Sequence, residues 1–376
     1  MKKIYNAVML GVSLLIVFGC MGQESGKKLK GISKINYEEL ETKIPQLLEK
    51  YDVPAVSISL IEQGNIKWSS VFGMQNQTKK ADKNTLFLSA SIAKPVTAEV
   101  FLRLASMGKV SLDEPMCHYW TDPDIKDHPF TKLLTPRHVL THQTGFKNWR
   151  YMTNDTLRFE SRPGMEVGYS GEGLRYLVRF IEKKLNRPFN DIANEVLFTP
   201  EKMNNSSFKK QDWYDNRLAA PKFADGNWGE PFARDVAIGA GGLHTTSEEY
   251  ARFVLSIMNK TEVSKTLRKE QFIISKNQNK ECIASATNPE ACPKNLGFGL
   301  SWYVYEFEEE TIIAHSGANN GERTLAVFNL KSKWGLVVMT NGGNGNYVIY
   351  DIAKLAGVNQ NFIAIEKPRR VFESND

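Results

Sequence analysis

Apolar and polar residues alternate in two short runs near the start of the chain, "PAVSISLIE" and "IKWSSVFG", on either side of Gly64-Asn65. Alternation marks a half-buried strand and the glycine supplies a tight turn, so residues 54–73 are predicted to form a β-hairpin. A helical spacing precedes it over residues 37–52. Ile92, Val96, Val100, Phe101, Leu104 and Met107 then cover most faces of one helix running from Ser91 to Met107. A helix apolar nearly all round is a buried one. Pro95 falls in its first turn, where a missing N–H costs least, and Gly108 suits its C-terminal cap. From about 110 to 240 the chain is rich in loops, with helical pieces at 136–142, 172–184 and 188–196. From Asn295 the pattern returns to strands in "LGFGLSWYVYEF", "ETIIAHSG", "RTLAVFNL" and "KWGLVVMTN". Short turns join the last three, which predicts an antiparallel meander. A final helix is expected near 347–356, and a polar tail over 366–376. Strands at both ends around a helical middle predict an α/β domain over residues 35–365. Its antiparallel sheet would be flanked by helices, with a mostly helical insertion at about 110–240.

The length of 376 residues allows a large core, and 41% hydrophobic with 24% charged residues is the balance of a folded soluble domain. The net charge of +6 is scattered, and the basic blocks Lys27–Lys30 and Lys209–Lys210 are short. Recognition of nucleic acid needs a clustered basic face, so no nucleic-acid partner is expected. Lys2 and Lys3 precede the apolar run Ala7–Phe18, and "VFGC" ends at Cys20. A basic flank followed by a short apolar core predicts a secretory signal over residues 1–19. The cysteine after Gly19 resembles the lipobox of bacterial lipoproteins, which implies lipidation at Cys20 and a polar tether over residues 20–34. Asp does not follow Cys20, so retention at an inner membrane is not indicated. The expectation is a lipid-anchored protein of the bacterial cell envelope, at the outer membrane, with its folded part periplasmic or extracellular. Export makes disulfides possible. Cys282 and Cys292 flank the polar loop "IASATNPEA" and could close it, leaving Cys117 single. No paired C-x-x-C spacing points to zinc.

The candidate chemistry begins with Ser91 and Lys94, three residues apart at the front of the buried helix. A serine hydroxyl is a weak nucleophile until a neighbouring base takes its proton. Positions i and i+3 share a helix face, so Lys94 can reach Ser91. Burial and the positive end of a helix both lower a lysine's proton affinity. Backbone N–H groups at the helix start are placed as oxyanion donors should be. The spacing alone does not decide the matter: Ser25/Lys28, Ser206/Lys209 and Ser207/Lys210 share it, and a serine that merely caps a helix beside a solvated lysine is the commoner case. Two further stretches bear on it. "RPGMEVGYSGEGLRYLVRFI" places Tyr169 at a helix entrance, where it could shuttle a proton or simply pack. In "IIAHSGANNG" a strand reaches His315-Ser316-Gly317, where small residues let a substrate lie along the backbone, or else form a plain hairpin turn.

In this order and at these separations, the three pieces resemble the β-lactamase and penicillin-binding-protein superfamily of serine hydrolases, in particular the class C-related branch with its D,D-peptidases, D-aminopeptidases and family VIII esterases. Further similar stretches are "LTPRHVLTHQTGF", "LFTPEKMNNSSF", "GAGGLHTTSEEYARF" and "LGFGLSW". The resemblance spans roughly residues 35–357. It implies that Ser91 is acylated, that Lys94 and Tyr169 share proton transfer, and that the N–H groups of Ser91 and Ala318 form the oxyanion hole. It places His315, Ser316 and Gly317 where the family carries Lys-Thr-Gly or His-x-Gly. It also implies a small-molecule or peptide-like substrate and neither a metal nor an organic cofactor. One position departs: the family's Tyr-x-Asn reads Tyr169-Ser170-Gly171 here. The amide that would touch the lysine and the substrate is missing, so a side chain at 171 is expected to face Lys94, with Glu172 as a substitute donor of the contact. Three rivals stand beside this. "GYSGE" lacks the last glycine of an α/β-hydrolase elbow, and "HVLTH" has Val139 where a zinc protease needs glutamate, so His138 and His142 are expected to pack or hydrogen-bond. A sensor that is acylated once, or not at all, belongs to a different class and remains open.

Overall fold

Along the first strand, Val56, Ile58 and Leu60 face one side while Ser57 and Ser59 face the other, and all five are buried. A strand buried on both faces belongs to the middle of a layered structure. The computed structural model describes residues 35–259 and 262–372. Cys20, the leader and the whole of the tether lie outside them. Among the described residues nine strands form, β1 (Ala55–Glu62), β2 (Asn65–Gly73), β3 (Phe87–Leu88), β4 (His244–Thr245), β5 (Asn295–Phe298), β6 (Tyr303–Glu306), β7 (Thr311–Ala318), β8 (Arg323–Asn329) and β9 (Trp334–Thr340). Seven of them make one sheet in the order β2-β1-β9-β8-β7-β6-β5, antiparallel throughout. The N-terminal hairpin thus joins the C-terminal strands, and β3 and β4 pair separately.

Helices cover both faces of the sheet. On one side α1 (Tyr37–Tyr51), α9 (Gly345–Leu355) and α10 (Gln360–Phe372) pack on Val56, Ile58, Leu60, Leu336 and Val338. On the other lie α2 (Ala93–Ser106), α4 (Gly171–Leu185) and α6 (Ser247–Asn259), against Ile61, Ala326, Val337 and Met339. The short helices α3 (Pro136–Leu140) and α5 (Phe189–Ala193) belong to the inserted region, and α7 (Lys265–Glu270) and α8 (Asn279–Ser285) follow α6. α2 is buried from Ala93 to Leu104. Gly108 ends it at φ +70°, with Lys109 N–H bonded to the Leu104 carbonyl at 2.9 Å, the hydrogen-bond pattern of a glycine-closed helix. The apolar pattern hides one polar feature: Glu99 is buried between Arg103 (3.2 Å) and Arg268 (2.7 Å).

Three expectations need correction. "LGFGLSWYVYEF" is not one strand but the hairpin β5–β6, because Ser301 turns at φ +71° and Gly299 N–H bonds the Trp302 carbonyl at 2.9 Å. The polar tail does not begin at 366. α10 runs to Phe372, and Glu366 is buried, paired with Arg369 and Arg370 at 3.2 Å each. The segment after Cys282 is partly helical, since that cysteine sits inside α8, from where it is disulfide-bonded to Cys292. Cys117 is a free thiol. Among the described residues, no helix is long and apolar enough to cross a membrane.

Candidate active site

The turn that carries Ser91 is pinned from several directions. Ser89 N–H bonds the Leu243 carbonyl (2.8 Å), and the Ser89 carbonyl accepts from Thr324 Oγ1 of β8 (2.8 Å). Between them Ala90 holds a left-handed φ of +48°. A side chain pays roughly 1–2 kcal/mol for that conformation, which persists only where surroundings over-determine it. The strained residue leads into a single 3₁₀ turn, Ala90–Ile92, and then α2. Ser91 emerges half-exposed.

Lys94 lies one turn on and is fully buried. Its Nζ is 2.9 Å from Ser91 Oγ and donates to the Ala240 carbonyl at 2.8 Å. It stands 4.8 Å above the Tyr169 ring and 5.9 Å from that of Trp149. No carboxylate is paired with it among the described residues. Burial pushes its pKa down to about 7. A neutral amine donating to one carbonyl still has a lone pair to accept the serine proton.

Tyr169 is held by a clamp built on His142. The His142 carbonyl accepts from Gly168 N–H at 2.8 Å, and its Nδ1 accepts from Ser170 N–H at 3.2 Å. The two rings pack in a tilted arrangement, centroids 4.6 Å apart and planes at 37°. His138, by contrast, closes the start of α3 through Thr135. Both histidines thus do packing and hydrogen-bonding work.

β7 passes the other side of Ser91. Its residues Thr311–Ala314 pair with β6, while His315–Ala318 run beyond the end of that strand and keep one ladder edge clear of it. Gly317 is in close contact: a Cβ there would lie 2.8 Å from both the Ser89 carbonyl and Ser91 N. The backbone N–H groups of Ser91 and Ala318 therefore flank one cleft. His315 is buried with Nδ1 donating to the Ser316 carbonyl at 2.6 Å, and its ring centroid is 6.1 Å from that of Tyr169. Burial first, and the Lys94 charge second, lower its pKa to about 3, so this histidine is neutral.

Ser91, Lys94, Tyr169, His315, Ser316, Gly317 and Ala318 therefore meet at one place between the sheet and the helical part. The expectation for position 171 is overturned. A Cβ on Gly171 would lie 2.6–2.9 Å from three atoms of the Trp149 ring, so the indole, not open cleft, occupies the space beside it. Glu172 does not replace the missing amide either. Its carboxylate is buried and turned to Arg150 (3.2 Å) and Arg175 (2.9 Å). Trp149 and Thr324 are parts of the site that no motif announced, and Ala240 lies in a family-like stretch to which the sequence attaches no role. Its "GAGG" run, dense in glycine, is suited to a close backbone approach.

A seven-stranded antiparallel sheet with helices on both faces, and a helical region closing over one end, is the β-lactamase/transpeptidase-like fold. The penicillin-binding protein homologue from Pyrococcus abyssi superposes with a TM-score of 0.71 at 22% identity, covering 86% of this chain and 78% of that one. A class C β-lactamase superposes at 0.68 with 17% identity, covering 85% and 94%. The Beta-lactamase family profile matches residues 40–359, and the chain belongs to that family. Among curated relatives, Protein flp of Staphylococcus aureus is 20% identical over 340 residues, 83% of this chain and 64% of its own length. The chain thus spans less than two thirds of that relative. Esterase EstB of Burkholderia gladioli is 32% identical over 107 residues, 27% of each chain.

Proposed function

We propose that this protein is an exported serine hydrolase that cleaves an ester or amide through an acyl-enzyme on Ser91. The observation that carries the reading is the 2.9 Å contact between Ser91 Oγ and an Nζ that burial holds near neutrality. Lys94 takes the Ser91 proton as Oγ bonds to the substrate carbonyl carbon. The N–H groups of Ser91 and Ala318 receive the developing oxyanion, each such donor typically worth about 10²–10³ in rate. Collapse breaks the bond to the leaving group, which takes a proton returned through Lys94 and Tyr169. Water then attacks the acyl ester, gives its proton to the same base, and frees Ser91. Esters fit best. They need no polar partner for an acyl-side amide, and Trp149 fills the place where position 171 would supply one. Slow turnover of β-lactams is expected on the same ground.

The test is a burst with a short-chain nitrophenyl ester, together with labelling by a serine-directed fluorophosphonate. Ester turnover by the unlabelled protein that is lost as Ser91 becomes labelled supports the hydrolase. Label without turnover of esters, D-peptides or cephalosporins makes the protein a sensor instead. Absence of label on Ser91 overturns the hydrolase and leaves a sensor that is never acylated. The proposal includes lipid anchoring at Cys20 in the cell envelope. Cys20→Ser should release the protein from membranes, and a wild-type protein already free of lipid refutes that part.

A further inference from the structure

A small pocket of about 100 Å³ opens directly on Ser91. Its walls include Trp149, Phe232, Arg234, Gly242 and Ala318, and Arg234 is the only charged side chain among its lining residues. The guanidinium lies 5.3 Å from the Phe232 ring centroid, and its stem runs so close to Gly242 that a Cβ there would be 3.3 Å from Arg234 Cδ. Among the described residues it makes no ion pair with any carboxylate, unlike Arg150 and Arg175 nearby. Partial burial and the neighbouring Arg175 both weaken its hold on charge, as expected for a cation without a counter-ion. The other basic groups of the site cannot take that role. His315 is neutral, and Lys94 must be neutral to act as a base.

We infer that Arg234 selects substrates bearing a carboxylate a short linker away from the scissile carbonyl. This rests on the reading of Ser91 as the acylated residue. An arginine fork and a carboxylate match in geometry and charge. The small pocket volume keeps the two functional groups of such a substrate close together. Because Arg234 is exposed at the rim, the gain is that of a partly screened pair, roughly three- to tenfold in affinity.

Binding is measured first in a Ser91→Ala protein, where catalysis plays no part, by ligand-observed NMR. Monomethyl glutarate should bind roughly three- to tenfold more tightly than dimethyl glutarate. Adding Arg234→Met should remove the difference, Arg234→Lys should keep part of it, and high salt should shrink it. Equal binding of the two esters, no binding of the monoanion, or a preference untouched by Arg234→Met overturns the inference. With Ser91 intact, the kcat/KM ratio of nitrophenyl hemiglutarate to nitrophenyl butyrate should fall by the same factor in Arg234→Met. If neither nitrophenyl ester is turned over, the acyl-enzyme reading fails while the NMR comparison still decides the role of Arg234. Arg234→Gln serves if the methionine variant does not fold.

Discussion

Replacing Lys94 by methionine, which has a similar length and no charge, should reveal what its burial costs. The folded protein holds Lys94 at a pKa of about 7, against 10.5 for a solvated lysine. Between those values the unfolded chain carries the proton and the folded chain does not, so this group's contribution to stability rises with pH. Its penalty is complete below about 7, roughly 5 kcal/mol at about 1.4 kcal/mol per pH unit, and is gone above about 10.5. From pH 6 to pH 9 the penalty should shrink by about 3 kcal/mol, from roughly 5 to roughly 2. Chemical denaturation of wild type and Lys94→Met at those two pH values isolates this, because other titrating groups cancel in the difference. The variant's advantage over wild type should fall by about 3 kcal/mol. The lost contacts of Nζ with Ser91 and Ala240 lower that advantage equally at both ends. In wild type, kcat/KM for a neutral ester should climb through a pKa near 7 and then level. A stability difference that ignores pH, or a rate profile flat from pH 6 to 9, would refute the neutral-lysine argument.

Ser91→Ala should abolish the burst, while Lys94→Ala and Tyr169→Phe should each reduce turnover severely, and their combination little further, because they act as one unit. Additive losses would show that they do not. Gly317→Ala places a methyl 2.8 Å from Ser91 N and the Ser89 carbonyl, so kcat should drop by about 10² or more, and retention within twofold would contradict the packing. Glu99→Gln leaves Arg103 and Arg268 buried without their shared anion and should cost roughly 3–5 kcal/mol in denaturant unfolding. Gly171→Asn should lower Tm through collision with Trp149, and Trp149→Ala in the same chain should recover part of the loss. An unchanged Tm in Gly171→Asn alone would contradict that contact.

The parts of this fold legible in the chain are those whose pattern is local. The 54–73 hairpin, the buried helix after Ser91 and the closing meander each announce themselves by period and turn chemistry. α6 was equally legible in principle. Thr246 and Glu249 stand at the spacing of a capped helix start, and Thr246 Oγ1 does accept Glu249 N–H at 3.2 Å. The β5–β6 break was not, because Ser301 adopts a positive φ that its residue type does not advertise. Ser91, Lys94 and Tyr169 could be picked out because helix periodicity and family order both constrain them. Trp149 and Ala240 could not, since each reaches Lys94 across long stretches of chain. Position 171 fails for the same reason: local sequence says a side chain is absent, but only the packed structure says what stands in its place.

That substitution of an indole for an amide has a historical side. With glycine at 171, shortening Trp149 leaves a gap that a folded protein tolerates at some cost. With Trp149 in place, a side chain at 171 meets ring atoms closer than 3 Å. The two positions are therefore easier to change in one order than in the other. A family-like amide at 171 is easier to accommodate once the indole has been shortened or turned aside. Selection with β-lactams should accordingly find changes at 149 and 171 together more readily than a change at 171 alone.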